Sequence, residues 1–565
     1  MKYCLAILRA NRCLAAFYLL MGILTTFLDT WQAAYSQTVL DRFQTGSLSA
    51  GTIALYTGLM LGGYLLNYAD EYPDKRFSNL IYFDFKLLAL QKLERIDYSA
   101  YQRMGTGLLI QKTESGAQAG RGILFSFAFQ VLRSTVPSIT FGLWFIGRIN
   151  PAVMVGIAAG YVLVFAVSNL LLKRLYKIKE RILNNEEVLN RLLVRGFMEL
   201  PVFRVNRRFR REMERAREAA GQIVSAKTKM NLIHEAFFTI FALFVGIIKV
   251  IILVYAWRTH ALSVGAVVAL LALAERAYQP IAVFNVLFVQ YKLDLAAFRR
   301  LTEVLDAPEE PRLTSGAPYR PGGGGVKFEN VGYTYAGNRV LDGLTLEVPA
   351  GKKAAFVGES GSGKSTCLKL IAGLLMPRSG RVFIDRQDIA GLSMDSYYPH
   401  IAYLSQETPV FDGTLREDIL FDQSAPDAEI RAALERVELG GFLRALPEGL
   451  DTRVGERGAT LSGGERQRLA LARLFFTPAR LILLDEATSA LDNVTEARVL
   501  GRVMAALEGR TVVSVAHRIR SIQGADVVHV FSKGELIASG AYDDLLLNCA
   551  YFQALCARGE EPPAP

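Results

Sequence analysis

The run Gly358-Glu359-Ser360-Gly361-Ser362-Gly363-Lys364-Ser365-Thr366 is a complete GxxxxGK[ST] pattern. Glycines at these positions let successive backbone N–H groups turn inward around phosphate oxygens. Lys364 supplies a point charge for the β- and γ-phosphates, and the Ser365 hydroxyl is a hard oxygen ligand for Mg²⁺. The pattern follows the apolar strand Ala354–Val357 and opens the apolar helix Cys367–Leu375, whose N-terminal dipole adds to anion binding. That context is what a phosphate-binding loop requires.

Two further runs supply the rest of the chemistry. Leu481-Ile482-Leu483-Leu484-Asp485-Glu486 is a continuous apolar strand ending in two carboxylates. Such a strand is buried on both faces of a parallel sheet, and ligands bind at its C-terminal end. Asp485 is then placed to hold Mg²⁺, and Glu486 to accept a proton from an attacking water. Leu461-Ser462-Gly463-Gly464-Glu465-Arg466-Gln467-Arg468 opens the helical pattern Leu469–Phe476. With Ser462 as N-cap and Gly463 and Gly464 leaving the backbone open, this is a second anion site. The sequence does not say whose nucleotide it touches.

These motifs lie in a soluble α/β half, and the rest of the chain must carry it. At 565 residues, two or three folded units are expected. A composition that is 51% hydrophobic and 21% charged is too apolar for a simple soluble enzyme and excludes disorder. Five cysteines, irregularly spaced, give neither a disulfide framework nor metal-ligand spacing. The apolar runs fall before residue 300: Cys13–Tyr35 (one charge, Asp29), Gly51–Tyr68, Val131–Ile149, Pro151–Leu172, Ala236–Trp257 and Leu262 to about Gln290. Each is about 18 residues or more, long enough to cross a bilayer as a helix. The predicted organisation is a six-span all-α membrane domain over 1–305, a Pro- and Gly-rich linker over 306–325 that packs no core, and an α/β phosphate-loop domain over 326–565.

The net charge of +10 follows the membrane topology. Lys2, Arg9 and Arg12, the segment from Lys75 to Arg121, and the run Arg204 to Arg217 are basic, whereas the opposite loops carry little. The positive-inside bias places both termini and both long loops in the cytoplasm. A cleaved signal peptide is the competing reading of the first run, and five further runs argue against it. Nucleic-acid binding is the competing reading of Arg204–Arg217. Glu212, Glu214 and Glu218 supply partners at helical spacing, so a solvated helix is expected and no nucleic acid.

The set Gly358–Thr366, Gln406, Leu461–Gln467, Asp485-Glu486, Ala490-Leu491-Asp492 and His517 resembles the nucleotide-binding domain of ATP-binding cassette (ABC) transporters, and the six spans ahead resemble an exporter-type fused membrane domain. The resemblance implies a half-transporter that binds ATP and Mg²⁺ and works with a second half, identical or different. Two cassettes in that family close head-to-tail, so Ser462, Gly463 and Gly464 would contact ATP held by the partner's phosphate loop. Tyr335 resembles the aromatic that stacks on adenine. Gln406 would touch Mg²⁺ and the attacking water, Asp492 would bridge protomers, and His517 would bind the γ-phosphate. Glu465 stands where Gln is frequent. Gly455-Glu456-Arg457-Gly458 resembles the exporter contact to the cytoplasmic loops, and Ala100–Gln118 and Gly196–Arg204 resemble coupling helices. The implied location is a bacterial inner membrane, with the cassette in the cytoplasm.

Charges at membrane depth are costly and face either a cavity or a partner. Lys249, Glu275, Arg276 and Arg133 are therefore candidates for the transport path, or for interhelical pairs such as Lys249–Glu275. Asn67, Tyr278 and Gln290 stay open between lining and packing. With no peptidase or solute-binding domain read in the sequence, the expectation is export of a peptide, lipid or amphipathic small molecule. Import of a metal-chelating siderophore is the alternative. A soluble ATPase of DNA repair or translation is disfavoured by the six spans.

Overall fold

The computed structural model describes residues 2–335, 337–421, 423–455, 461–516 and 522–560. It divides into two compact units: residues 1–94 with 104–307, and residues 95–103 with 308–565.

The first unit is built of long helices. They are α1 (Lys2–Ala10), α2 (Arg12–Gln44), α3 (Ala50–Arg95), α5 (Thr106–Arg121), α6 (Val136–Ile149), α7 (Pro151–Met198), α8 (Leu200–Val205), α9 (Phe209–Thr259) and α10 (Val264–Leu305); the short α4 (Tyr98–Met104) falls between α3 and α5. Between α5 and α6 the chain stays helical but runs through two π-helical stretches, Gly122–Phe129 and Val131–Thr135. Boundaries follow local chemistry. Asn150 accepts hydrogen bonds from the Ala152 and Val153 amides at 3.0 and 3.1 Å, with Pro151 at the first helical position, and so starts α7. Ser263 accepts from the Ala266 amide at 3.0 Å and starts α10. His260, at φ 48°, ends α9.

Among the described residues, four helical stretches, Arg12–Gln44, Thr106–Ile149, Phe209–Thr259 and Val264–Leu305, are long and apolar enough to cross a membrane, and Pro151–Val164 is a shorter apolar segment. Ile240, Leu243, Ile247, Ile251 and Val254 are exposed along one face of α9. In water such a stripe would be a liability; against lipid it is a solvated surface. Tyr278 is fully buried, and its hydroxyl donates to the Ile157 carbonyl at 2.8 Å. A Cβ on Gly160 would collide with that hydroxyl, so the glycine makes the room. Tyr278 is a packing residue.

Among the described residues, the second unit contains two larger sheets and a small one of β7 (Gly413–Thr414) with β8 (Arg453–Val454). One has the order β2-β1-β4-β5, from β1 (Val326–Tyr335), β2 (Asn338–Val348), β4 (Ser379–Ile384) and β5 (Gln387–Asp388). The other has the order β12-β11-β3-β10-β9-β6, from β3 (Lys353–Gly358), β6 (Ile401–Leu404), β9 (Leu481–Asp485), β10 (Thr511–Val515), β11 (Val527–Ser532) and β12 (Glu535–Gly540). β11, β3, β10, β9 and β6 run parallel, and β12 is antiparallel. Every residue of β9 is buried, as an all-apolar strand inside a parallel sheet must be.

The Pro- and Gly-rich stretch packs more than its composition suggests. Tyr319 and Arg312 are buried. Arg312 forms two 2.8 Å bonds to the Glu310 carboxylate and one of 2.8 Å to the Gly373 carbonyl. The Gly322, Gly324 and Gly325 amides and the Tyr319 hydroxyl all donate to Asp385, at 2.6–3.1 Å. Glycine lets neighbouring amides converge on one carboxylate, so a sequence unfit for a helix still docks.

Candidate nucleotide site

The phosphate loop joins β3 to the helix Lys364–Ile371. Gly358, Gly361 and Gly363 all have positive φ. A Cβ on Gly358 would lie 2.2 Å from the Phe531 carbonyl, and one on Gly363 would lie 2.5 Å from the Leu341 side chain. Only glycine fits this cradle. Lys364, 4% exposed, donates to the Gly358 and Glu359 carbonyls at 2.8 Å each and to Ser362 Oγ at 3.4 Å. Burial pulls its ammonium below the usual lysine value, while Glu486 and Asp485 oppose that pull. The loop is thus curled around one cation at a helix N-terminus, which fits a nucleotide's phosphates.

β10 separates β3 from β9, and Val515 is in register with both Phe356 and Asp485. This brings the loop and the carboxylates to one sheet edge. Ser365 Oγ donates to Asp485 Oδ1 at 2.7 Å. Burial holds the Asp485 carboxyl above the ordinary carboxylate range, and the Ser365 bond partly offsets this. Two adjacent hard oxygens beside a phosphate cradle are the donor set that Mg²⁺ accepts. Gln406 Nε2 donates to Glu486 Oε2 at 2.9 Å. Glu486 sits at φ 53°, a strained conformation for a residue other than glycine.

Tyr335 ends β1 half-buried, packed edge-on to Tyr333 with ring centroids 4.9 Å apart. Burial pushes its hydroxyl up to about 12. Ser462 caps the helix Gly463–Arg473 in a capping box: the Glu465 amide donates to Ser462 Oγ at 3.3 Å, and the Ser462 amide donates to Glu465 Oε2 at 2.8 Å. Glu465 thus closes the box, and the Ser462 bond holds its carboxyl below the usual range. Gln467 joins this helix to the next loop, donating to Ser489 Oγ at 2.9 Å and accepting from the Ala490 amide at 2.8 Å. Asp492 caps the helix Asn493–Ala506. The Ser462 helix packs in one hydrophobic core, with Leu415 and Ile430, while the phosphate-loop helix packs in another, with Phe328 and Val382. No hydrogen bond among the described residues joins Ser462, Gly463 or Gly464 to the phosphate loop. His517 and Glu456–Gly458 lie outside the described residues.

Three contributors are not visible as motifs. Tyr403, on β6, donates to Asp485 Oδ2 at 3.4 Å. Arg473 forms a buried 2.8 Å ion pair with Asp418 and donates to the Pro409 carbonyl at 3.0 Å, anchoring the loop that follows Gln406. The segment Arg95–Arg103 belongs to this unit: the Asp97 amide donates to the Pro308 carbonyl, the Glu310 amide to the Arg95 carbonyl, and Tyr98 packs on the core of the first sheet. Only register across the sheet and distant pairing reveal these.

Residues 341–489 match the family model described as ABC transporter. A solved structure of a bacterial Atm1-family ABC exporter with ATP bound superposes at a TM-score of 0.81 and 25% identity, covering 99% of this chain and 100% of that one. The chain carries an ABC transporter domain and has the fold of an Atm1-family ABC exporter. It is an integral, multi-pass membrane protein, and its cassette binds ATP. The mycobactin import ATP-binding/permease protein IrtB of Mycolicibacterium thermoresistibile is 40% identical over 292 residues, 50% of this chain and 49% of that protein. An ATM1-type heavy metal exporter of Novosphingobium aromaticivorans is 36% identical over 314 residues, 54% and 51% of the two chains. The chain spans about half the length of these curated relatives.

In the membrane unit the four candidate path charges differ. Lys249 Nζ lies 2.6 Å from Glu275 Oε2. Arg133 pairs with Asp70, lies 3.4 Å from Asp74 and stacks on the Tyr18 ring at 4.0 Å. Arg276 donates to the backbone carbonyl of Asp29.

Proposed function

We propose that the half-transporter couples ATP hydrolysis to movement of a solute across a bacterial inner membrane, in a dimer with an identical or different half. The observation that carries the hydrolytic step is the Gln406–Glu486 bond beside the Ser365–Asp485 pair, at the edge where the phosphate loop ends. Glu486 takes the proton of an attacking water that Gln406 helps to orient, and Lys364 holds the β- and γ-phosphates. Ser365, Asp485 and Gln406 would hold Mg²⁺, which would supply positive charge against the phosphates. Tyr335 supports the adenine, and His517 supports the γ-phosphate.

The separate core that carries Ser462, Gly463 and Gly464 favours the composite site, in which these residues and Asp492 serve ATP bound to the other half. Export of a peptide, lipid or amphipathic molecule is the first reading, supported by the likeness to exporters. Import of a metal-chelating siderophore is the second, supported by the likeness to a mycobactin importer. ATP-driven uptake into inside-out vesicles, compared with uptake into right-side-out cells, decides. Accumulation only in inside-out vesicles means export, accumulation only in cells means import, and neither sinks the transport reading.

A further inference from the structure

The membrane unit contains a polar cavity of about 460 Å³ between α2, the π-helical stretch before α6, and α10. Asp29 and Arg276 both line it. Asp29 lies midway along α2, and Arg276 lies roughly 18 Å from the start of α10, so both sit at membrane depth. Opposite in charge, they share the cavity without a direct salt bridge between them. The Arg276 guanidinium donates to the backbone carbonyl of Asp29, and among the described residues its carboxylate forms no ion pair. A Cβ on Gly63 would lie 3.3 Å from Asp29 Oδ1, so a glycine on α3 gives that carboxylate its room.

The wall between them is made of hydrogen-bonding groups. Gln130, Ser134 and Ser138 face the cavity from one side and Gln279 from another, and among the described residues none of their side chains has a hydrogen-bond partner. Ser134 lies in the second π-helical stretch and Gln130 joins the two, and π-helical turns concentrate at functional sites. An acid and a base held apart at membrane depth, with no direct salt bridge, are stabilised further by a ligand that brings an opposite charge to each.

We infer that this cavity is a ligand site that takes a zwitterion, with an ammonium set against Asp29 and an anionic oxygen group set against Arg276. The inference deepens the transport reading and rests on it. The same chemistry is offered by a phosphoethanolamine lipid headgroup and by a free amino-acid-like solute.

The test uses the full chain, purified in a neutral maltoside detergent, with thermal unfolding midpoint and ATP hydrolysis as readouts. The probes are triglycine, N-acetyl-triglycine amide, dihexanoylphosphatidylethanolamine and dihexanoylphosphatidylglycerol. At least one zwitterionic probe should raise the midpoint by a few degrees, and the capped or singly charged partner should not. Response to triglycine alone assigns a soluble solute; response to the ethanolamine lipid alone assigns a bilayer headgroup. Asp29→Asn and Arg276→Gln should each reduce the response at least tenfold in probe concentration. Ser138→Leu, which fills the cavity and keeps both charges, should do the same, and it covers the case in which a charge variant fails to fold. No response to either zwitterion, an equal response to the capped analogue, or wild-type behaviour in the folded variants overturns the inference. Hydrolysis without any zwitterion response removes the site alone. Absence of hydrolysis removes the transport reading, while the midpoint still reports on the site.

Discussion

Ser365 Oγ donates a 2.7 Å hydrogen bond to Asp485 Oδ1 across 120 residues of chain. The bond fixes the first turn of the phosphate-loop helix against the end of β9. It also sets two hard oxygens side by side before any cation arrives, which lowers the ordering cost of binding one. The neighbouring Gln406–Glu486 bond does the same for the candidate base. The phosphate-loop helix, β9 and the loop that carries Gln406 are therefore tied together within a single cassette.

Glu486→Gln should leave ATP binding intact and lower hydrolysis by about two to four orders of magnitude, the range for loss of a general base. The amide keeps the size of the side chain and its place beside Gln406, so only proton acceptance is lost. Lys364→Ala should instead weaken ATP binding itself. Turnover by reconstituted protein, set beside equilibrium ATP binding, checks both; near-normal turnover of Glu486→Gln would remove it from the base role.

Tyr403→Phe removes one donor to Asp485 while keeping the ring. The Mg²⁺ concentration for half-maximal hydrolysis should rise roughly twofold to fivefold, the effect of one hydrogen bond worth about 0.5–1 kcal/mol, with kcat little changed. The pH profile carries the sign. Asp485 already lies above the ordinary carboxylate range, and the Tyr403 bond pulls it down. Without that bond it rises further, so activity on the acid side should fail at a higher pH. Stability runs the other way: a carboxyl raised on folding favours the folded chain below its ordinary value near 4, and that contribution is lost as pH rises through the folded value. An unmoved acid limb and unchanged Mg²⁺ dependence would make Tyr403 a packing residue.

The phosphate loop, the strand ending in Asp485 and the Ser462 cap are contiguous, so their chemistry is legible in sequence. The partners of Arg133 are not. Asp70 and Asp74 precede it by about sixty residues on another helix, and only folding brings them together. Asp385 is equally silent: nothing local marks it as the collector of three glycine amides. The segment Arg95–Arg103 reads as part of a helical loop, yet it pairs with residues 308–310 because two backbone edges meet there. Contiguous motifs announce themselves; contacts made by long-range closure do not.

Ser462→Arg should abolish hydrolysis without weakening ATP binding to the phosphate loop of the same chain. The capping box would lose its hydroxyl, at a cost of about 1 kcal/mol to the helix, which the cassette tolerates. Bulk and charge would block contact with a nucleotide held by the other half. A mixed dimer of Ser462→Arg and Lys364→Ala halves gives the sharper readout. One composite site then carries both lesions and the other carries none, so about half of the hydrolysis should return. No recovery in the mixed dimer would mean that Ser462 serves its own chain.

Lys249→Met should lower thermal stability, because it leaves Glu275 without its partner at 2.6 Å. Adding Glu275→Gln should restore most of that loss. The cycle should give a coupling of about 0.5–1 kcal/mol, as for polar pairs between membrane helices. Glu275 is 67% exposed on its side chain, so the pair is not sealed inside the helices and can open toward a passing solute. The two roles separate in the double variant. Restored stability with normal solute-stimulated hydrolysis means that the pair only joins α9 to α10. Restored stability with lost stimulation means that the charges also meet the solute. A single variant as stable as the wild type and stimulated as fully would reject both roles.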